Sequence, residues 1–212
     1  MRLVAALVGR LLALYVRIVA ATSRVTGPVT REQVVIAIWH EYNLVASVVA
    51  WKVRGDLHHV SFSTQTFRGE VMTSMLGALR SGSVPLPAPD QRSEGARLAR
   101  ELARLGREGS SLVVSPDGPT GPYRAAKPGA LIAARESGLP LQPWAFSARR
   151  SFRLRRRWDR QVVPLPFGRL RIEAAEPIRV AAREPLRPLL ARLQDELDEV
   201  TDLAEAREAA RR

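Results

Sequence analysis

The run QVVIAIW at 33–39 is apolar, rich in β-branched side chains and short, a pattern that predicts a buried strand. LHHVSFS (57–63), SLVVS (111–115) and PLQPWAF (140–146) predict three more strands, and RLRIEAA (169–175) adds a fifth. Helical patterns lie between them, at about 41–53, 69–80 and 92–107. Another at 128–137 has Pro128 in its first turn and Gly138 just past its end. This alternation predicts an α/β fold with a central, mostly parallel sheet flanked by helices. Near the C-terminus Leu186, Leu189, Leu190, Leu193, Leu197, Val200 and Leu203 recur at helical spacing. They predict a helix with one face on the body, fraying over AREAARR (206–212). VPLPAPDQ (84–91) and VVPLPFG (162–168) predict proline-rich loops. There is no internal repeat.

The first 24 residues follow a different pattern. Apolar runs of seven and six residues are broken by Arg10 and Arg17, short of the roughly 18–20 apolar residues of a simple membrane span. The same arginines interrupt what a secretory signal would need. On a helix, Arg2, Arg10, Arg17 and Arg24 fall within roughly an 80° arc, with leucine, valine and alanine elsewhere. A wide apolar face with a narrow cationic stripe suits a membrane interface; a core-packing helix with its arginines in water has the same pattern. The expected organisation is therefore an interfacial helix over 1–24, an α/β domain over 25–183 and a C-terminal helix over 184–212.

Composition narrows the chemistry. Among 212 residues there is no cysteine, which excludes thiolate nucleophiles, disulfides and thiolate metal sites. Three histidines leave few general bases and disfavour a histidine-rich metal site. The net charge of +12, from 31 arginines and two lysines against 21 acids, predicts an anionic partner: a membrane surface, a phosphate-bearing substrate or nucleic acid.

Three stretches carry candidate chemistry. Trp39-His40 sits where the first predicted strand ends, the side on which open α/β sheets hold their ligands, and a histidine there is a candidate general base or a strand cap. His58 and His59, adjacent in a strand, point to opposite faces. SPDGPTGPYRAAKPGAL (115–131) lies between a strand and a helix; its glycines allow close backbone approach, and Arg124 and Lys127 add charge. It is either a pair of turns or an anion cradle, and the GxxxxGK[ST] pattern is absent. RRSFRLRRRWDR (149–160) interleaves seven arginines with Phe152 and Trp158, suiting nucleic acid, anionic headgroups or a solvated face. No nucleic-acid-binding motif accompanies it.

The order IAIWH (36–40), SPDGPTGPYRAAKPGALIAARESGLPLQP (115–143), RRWDRQVVPLPFGR (156–169), EPIRV (176–180) resembles a bacterial branch, of unknown function, of the lysophospholipid acyltransferase superfamily. The resemblance covers roughly residues 30–180. It implies acyl transfer from a thioester, acyl-CoA or acyl carrier protein, to a lipid hydroxyl, with no bound cofactor or metal. His40 would be the general base. Asp117, Gly118, Pro119, Gly121, Arg124 and Lys127 would form the acceptor-phosphate motif. Implied partners are a membrane surface with anionic lipid and acyl carrier protein, not nucleic acid, at the cytoplasmic face of the bacterial inner membrane, peripheral or monotopic. This chain departs from the superfamily in having Val45 where an aspartate follows the histidine, and Arg68-Gly69-Glu70 where Asp-Gly-Glu is frequent. Glu70 is the expected substitute partner for His40. A non-catalytic, anionic-lipid-binding descendant of the fold is the alternative.

Overall fold

The computed structural model describes residues 1–29, 32–53, 58–86 and 94–210. In chain order these form α1 (Arg2–Thr22), β1 (Arg24–Thr26), β2 (Val35–Ala37), a 3-10 turn (His40–Tyr42), α2 (Asn43–Val53), β3 (His59–Ser63) and α3 (Phe67–Ala78). Then come β4 (Gly82–Pro85), α4 (Glu94–Arg107), β5 (Ser111–Val114), α5 (Gly129–Ser137), β6 (Leu141–Arg153), β7 (Val162–Ala174) and α6 (Leu186–Ala209).

The strands form a sheet in the order β1-β7-β6-β2-β5-β3-β4, parallel throughout except for the antiparallel pair β6–β7. The fold is thus mixed α/β, with a mostly parallel sheet between helices. β2 is central and buried along its whole length, which is why its sequence is continuously apolar rather than alternating. Trp39, Tyr42, Leu112, Leu131, Leu141 and Ile172 are among the largest fully buried side chains around it. Gly138 closes α5 in the left-handed conformation (φ 74°), as its position after the last helical residue predicts.

Three sequence expectations need correction. VVPLPFG is not a loop but the first half of β7. Over those residues β7 pairs with β6 alone, since β1 joins it only at 169–171. Prolines missing an N–H are tolerated on that open edge. Second, β6 does not stop at Phe146 but continues to Arg153, so the first five residues of the arginine-rich stretch are strand. Third, the last helix continues to Ala209, so most of AREAARR is ordered. The sequence pattern does not predict β1 and β4, and residues 87–91 of the first proline-rich stretch, VPLPAPDQ, lie outside the described residues.

Among the described residues α1 is the one helix long and apolar enough to cross a membrane. It also packs on the body, and with an inverted choice of side chains. Ala5, Gly9, Ala13, Val16, Val19 and Ala20 are buried, whereas Leu3, Val4, Leu7, Leu11, Leu14 and Ile18 are exposed. At Gly9 an added Cβ would come within 2.6 Å of both Ser74 and the Val71 carbonyl, so only glycine permits this approach to α3. Arg17 bonds the Ala78 carbonyl and lies over the Trp51 ring, and Lys52 Nζ donates to the Ala20 carbonyl (2.8 Å). Arg2 meets Glu70, in the first turn of α3, at 3.8 Å. Because α3 starts where β3 ends, the N-terminal end of α1 lies at the carboxyl end of the sheet.

Candidate active site

Three neighbouring strands, β6, β2 and β5, send their following loops to one place, the carboxyl end of β2. His40 comes from β2, the 115–128 loop follows β5, and the turn between β6 and β7 brings Trp158 and Asp159. The central strand sets the level: extended Trp39 is buried, and His40 opens the 3-10 turn with its side chain 24% exposed.

Asp117 fixes His40 from below. Its buried carboxylate accepts from the His40 backbone N–H (2.9 Å) and from the Arg124 N–H (3.3 Å). Burial, opposed by these donors, pushes Asp117 up from 3.8 to about 6. Gly118 lies against the ring: an added Cβ would sit 2.8 Å from His40 Nδ1. That nitrogen is buried and has no hydrogen-bond partner among the described residues. Trp158 packs beside the imidazole with ring centroids 5.1 Å apart. Gly121, at φ 77°, is held so close to Trp158 that a Cβ would meet the indole at 2.8 Å.

The carboxylate beside His40 is Asp159, not Glu70. Asp159 Oδ2 lies 4.0 Å from His40 Nε2, and Asp159 is fully buried. Both its oxygens accept from Arg157, at 2.9 and 2.8 Å. Burial alone would raise the Asp159 carboxyl, but the Arg157 bonds and charge outweigh it and hold it below the ordinary range. His40 is lowered as well: burial lowers it most, Asp159 draws it back up and Arg157 pushes it down, leaving it below 6.5. The imidazole is therefore mainly neutral at neutral pH. Glu70 is elsewhere because β5 separates β3 from β2, two strand spacings or roughly 10 Å. Among the described residues Glu70 pairs with Arg2 and has no contact with His40.

The expected cradle residues are mostly engaged with the protein itself. Lys127 Nζ donates to the carbonyls of Gly121 (2.5 Å) and Gly118 (3.4 Å), tying the loop into a ring. Arg124 donates from Nε to Glu41 (2.7 Å) and from a terminal nitrogen to Glu205 of α6 (2.6 Å). Glu41, buried next to His40, also binds Arg153 and accepts from the Tyr123 hydroxyl (3.1 Å). Gly118 and Pro119, and Gly121 and Pro122, are joined by cis peptide bonds. The 117–127 segment thus shapes the wall of the site and holds His40, with its charges paired inward. At the rim, Arg155, Arg156 and Arg160 are exposed and have no carboxylate partner among the described residues; Arg160 lies 4.6 Å from the Tyr123 ring centre.

Sequence reasoning missed Asp159, Arg157 and Glu41. A signal for the first was present: Asp159 is the single acid among the seven arginines of 149–160. His58 and His59 stay outside the site; His58 Nδ1 lies 3.0 Å from Ser110 Oγ, and His59 is buried in β3. No group of metal-ligating side chains is present among the described residues. A surface hollow lined by Leu139, Pro140, Arg179 and Glu184 lies at the opposite end of the sheet, where β6 begins.

No protein-family model matches the chain. It is similar to the uncharacterized protein RP090 of Rickettsia prowazekii, with 26% identity over 149 residues, 70% of this chain. The match spans 65% of the length of that relative.

Proposed function

We propose that this protein is a membrane-associated acyltransferase in which His40 is the general base, acting with Asp159. The observation that carries this reading is the His40–Asp159–Arg157 arrangement at the carboxyl end of the central strand. With Nδ1 carrying the resting proton, Nε2 offers its lone pair to an acceptor hydroxyl. That oxygen attacks the thioester carbonyl of acyl-CoA or acyl carrier protein while its proton passes to Nε2. Collapse of the tetrahedral intermediate breaks the carbon–sulfur bond, and the imidazolium returns the proton to the leaving thiolate. At 4.0 Å Asp159 is too far to hydrogen-bond, so it stabilises the imidazolium by charge, in a low-dielectric setting that Arg157 keeps ionised. The acceptor's phosphate meets Arg155, Arg156 and Arg160 at the rim.

Membrane association rests on α1. A core helix buries its large side chains; this one buries its small ones and turns leucines outward, beside Arg10 and Arg17. Its N-terminal end stands at the level of His40, which suits an acceptor drawn from the bilayer. The site of action in this reading is the cytoplasmic face of a bacterial inner membrane, with α1 lying in the interface while packed on α3.

The test is single-turnover acyl release from a labelled acyl thioester, with a lysophospholipid in vesicles as acceptor. Removing a general base costs about 10²–10⁴-fold, so His40→Ala should lose that much. Equal rates in wild type and His40→Ala would remove catalysis from this site and leave a lipid-binding protein on the same fold.

A further inference from the structure

Away from His40, the structure places three arginines side by side across three strands. Arg24 of β1 is in register with Arg169 of β7, and Arg169 is in register with Arg149 of β6. In-register partners share one face of a sheet, and strands lie about 4.8 Å apart, so the row is compact. The same face carries Arg171 and Glu173 further along β7, where Glu173 also binds Arg207 of α6. The row therefore lies near the C-terminal end of α6, where Glu208 accepts from the Ala148 N–H, on the side of the sheet opposite Leu170 and Ile172. All three arginines are exposed, and none has a carboxylate partner among the described residues. Arg124, Arg153, Arg157, Arg171 and Arg207 all have such partners.

Like charges directly opposite one another destabilise a sheet. Arg169 faces two of them, in a chain that pairs its half-buried arginines Arg124, Arg153, Arg171 and Arg207 with carboxylates. The cost is relieved when an anion neutralises the row.

We propose that Arg24, Arg169 and Arg149 form a phosphate-binding site separate from the His40 site. Phosphate fits better than carboxylate. One guanidinium fork occupies both oxygens of a carboxylate, whereas the several oxygens of a phosphate can bridge neighbouring arginines at strand spacing. Arg150, exposed at φ 66° in the irregular step of β6 next to the row, adds a fourth positive charge at its margin. Phosphate of this kind comes from a soluble phosphorylated compound or from a lipid headgroup, and the two are separated by experiment.

The experiment compares wild type with Arg169→Gln, using inorganic pyrophosphate in one arm and phosphatidylglycerol against phosphatidylcholine vesicles in the other. At low salt and without ligand, Arg169→Gln should melt at a higher temperature, because the central repulsion is gone. That result also shows that the variant folds. Pyrophosphate affinity, or the increment in vesicle binding due to the anionic lipid, should fall at least tenfold in the variant. A fall with pyrophosphate identifies a soluble ligand, and a fall confined to vesicles identifies a headgroup. Equal binding by the two proteins in both arms, or binding by wild type in neither, overturns the site.

Discussion

At the residue scale, two buried acids next to His40 do different work. Glu41 holds Arg124, Arg153 and Tyr123 together, joining the 115–128 loop to β6 and, through Glu205, to α6. Glu41→Gln removes the buried carboxylate from two half-buried guanidinium groups and leaves them only Glu205, which is partly exposed. Breaking a buried pair from one side costs about 3–5 kcal/mol, and the urea midpoint should fall accordingly. A loss below about 1 kcal/mol would assign the network the weight of surface pairs. Asp117 carries a pH signature instead. Its pKa rises on folding to about 6, so it favours the folded state most below its ordinary 3.8, and that contribution is lost as pH rises toward 6. Asp117→Asn can still accept from the His40 N–H but does not titrate. Its stability relative to wild type should therefore increase from pH 4 to pH 7; a pH-independent difference would contradict the shift. Neither role was legible in the sequence. Asp117 stood out as a motif residue, but its burial depends on packing beneath β2. Glu41 finds its side-chain partners Tyr123, Arg124 and Arg153 about 80 to 110 positions away.

At the element scale, periodicity located β2, β3, β5, the beginning of β6 and all six helices, because each buries a face wide enough to print its period on the chain. It found the second half of β7 in RLRIEAA but failed at the first half, where prolines on an open edge mimic a loop, and at β1 and β4, which are three and four residues long. For α1 it gave the helix but not which face was inward. Deleting the helix is a poor test of membrane binding, since Val16 and Val19 are fully buried in the core. Replacing Leu7, Leu11 and Leu14 by serine is cleaner. These are 60%, 57% and 53% exposed, so each change should alter stability by no more than about 0.5 kcal/mol. Vesicle co-sedimentation should fall sharply. Undiminished co-sedimentation would mean that the outward leucines do not enter the bilayer.

At the scale of the whole molecule, strand order rather than sequence proximity assembles the site. His40 and Asp159 are 119 positions apart but come from adjacent strands, whereas Glu70, much nearer in sequence, is carried two strands away. A sequence reading could find the histidine and could not choose its partner without that order. The central claim, that His40 takes the proton in acyl transfer with Asp159 beside it, is met most directly by the pH dependence of the single-turnover transfer rate. The neutral imidazole is the active form and its pKa is lowered, so the wild-type rate should be level at neutral pH and fall only below pH 6.5. Asp159→Asn removes the charge that raises His40 and leaves that of Arg157, so the inflection should move lower still while the plateau rate drops. An inflection that stays in place in Asp159→Asn, or a plateau reached only above pH 8, would contradict the account.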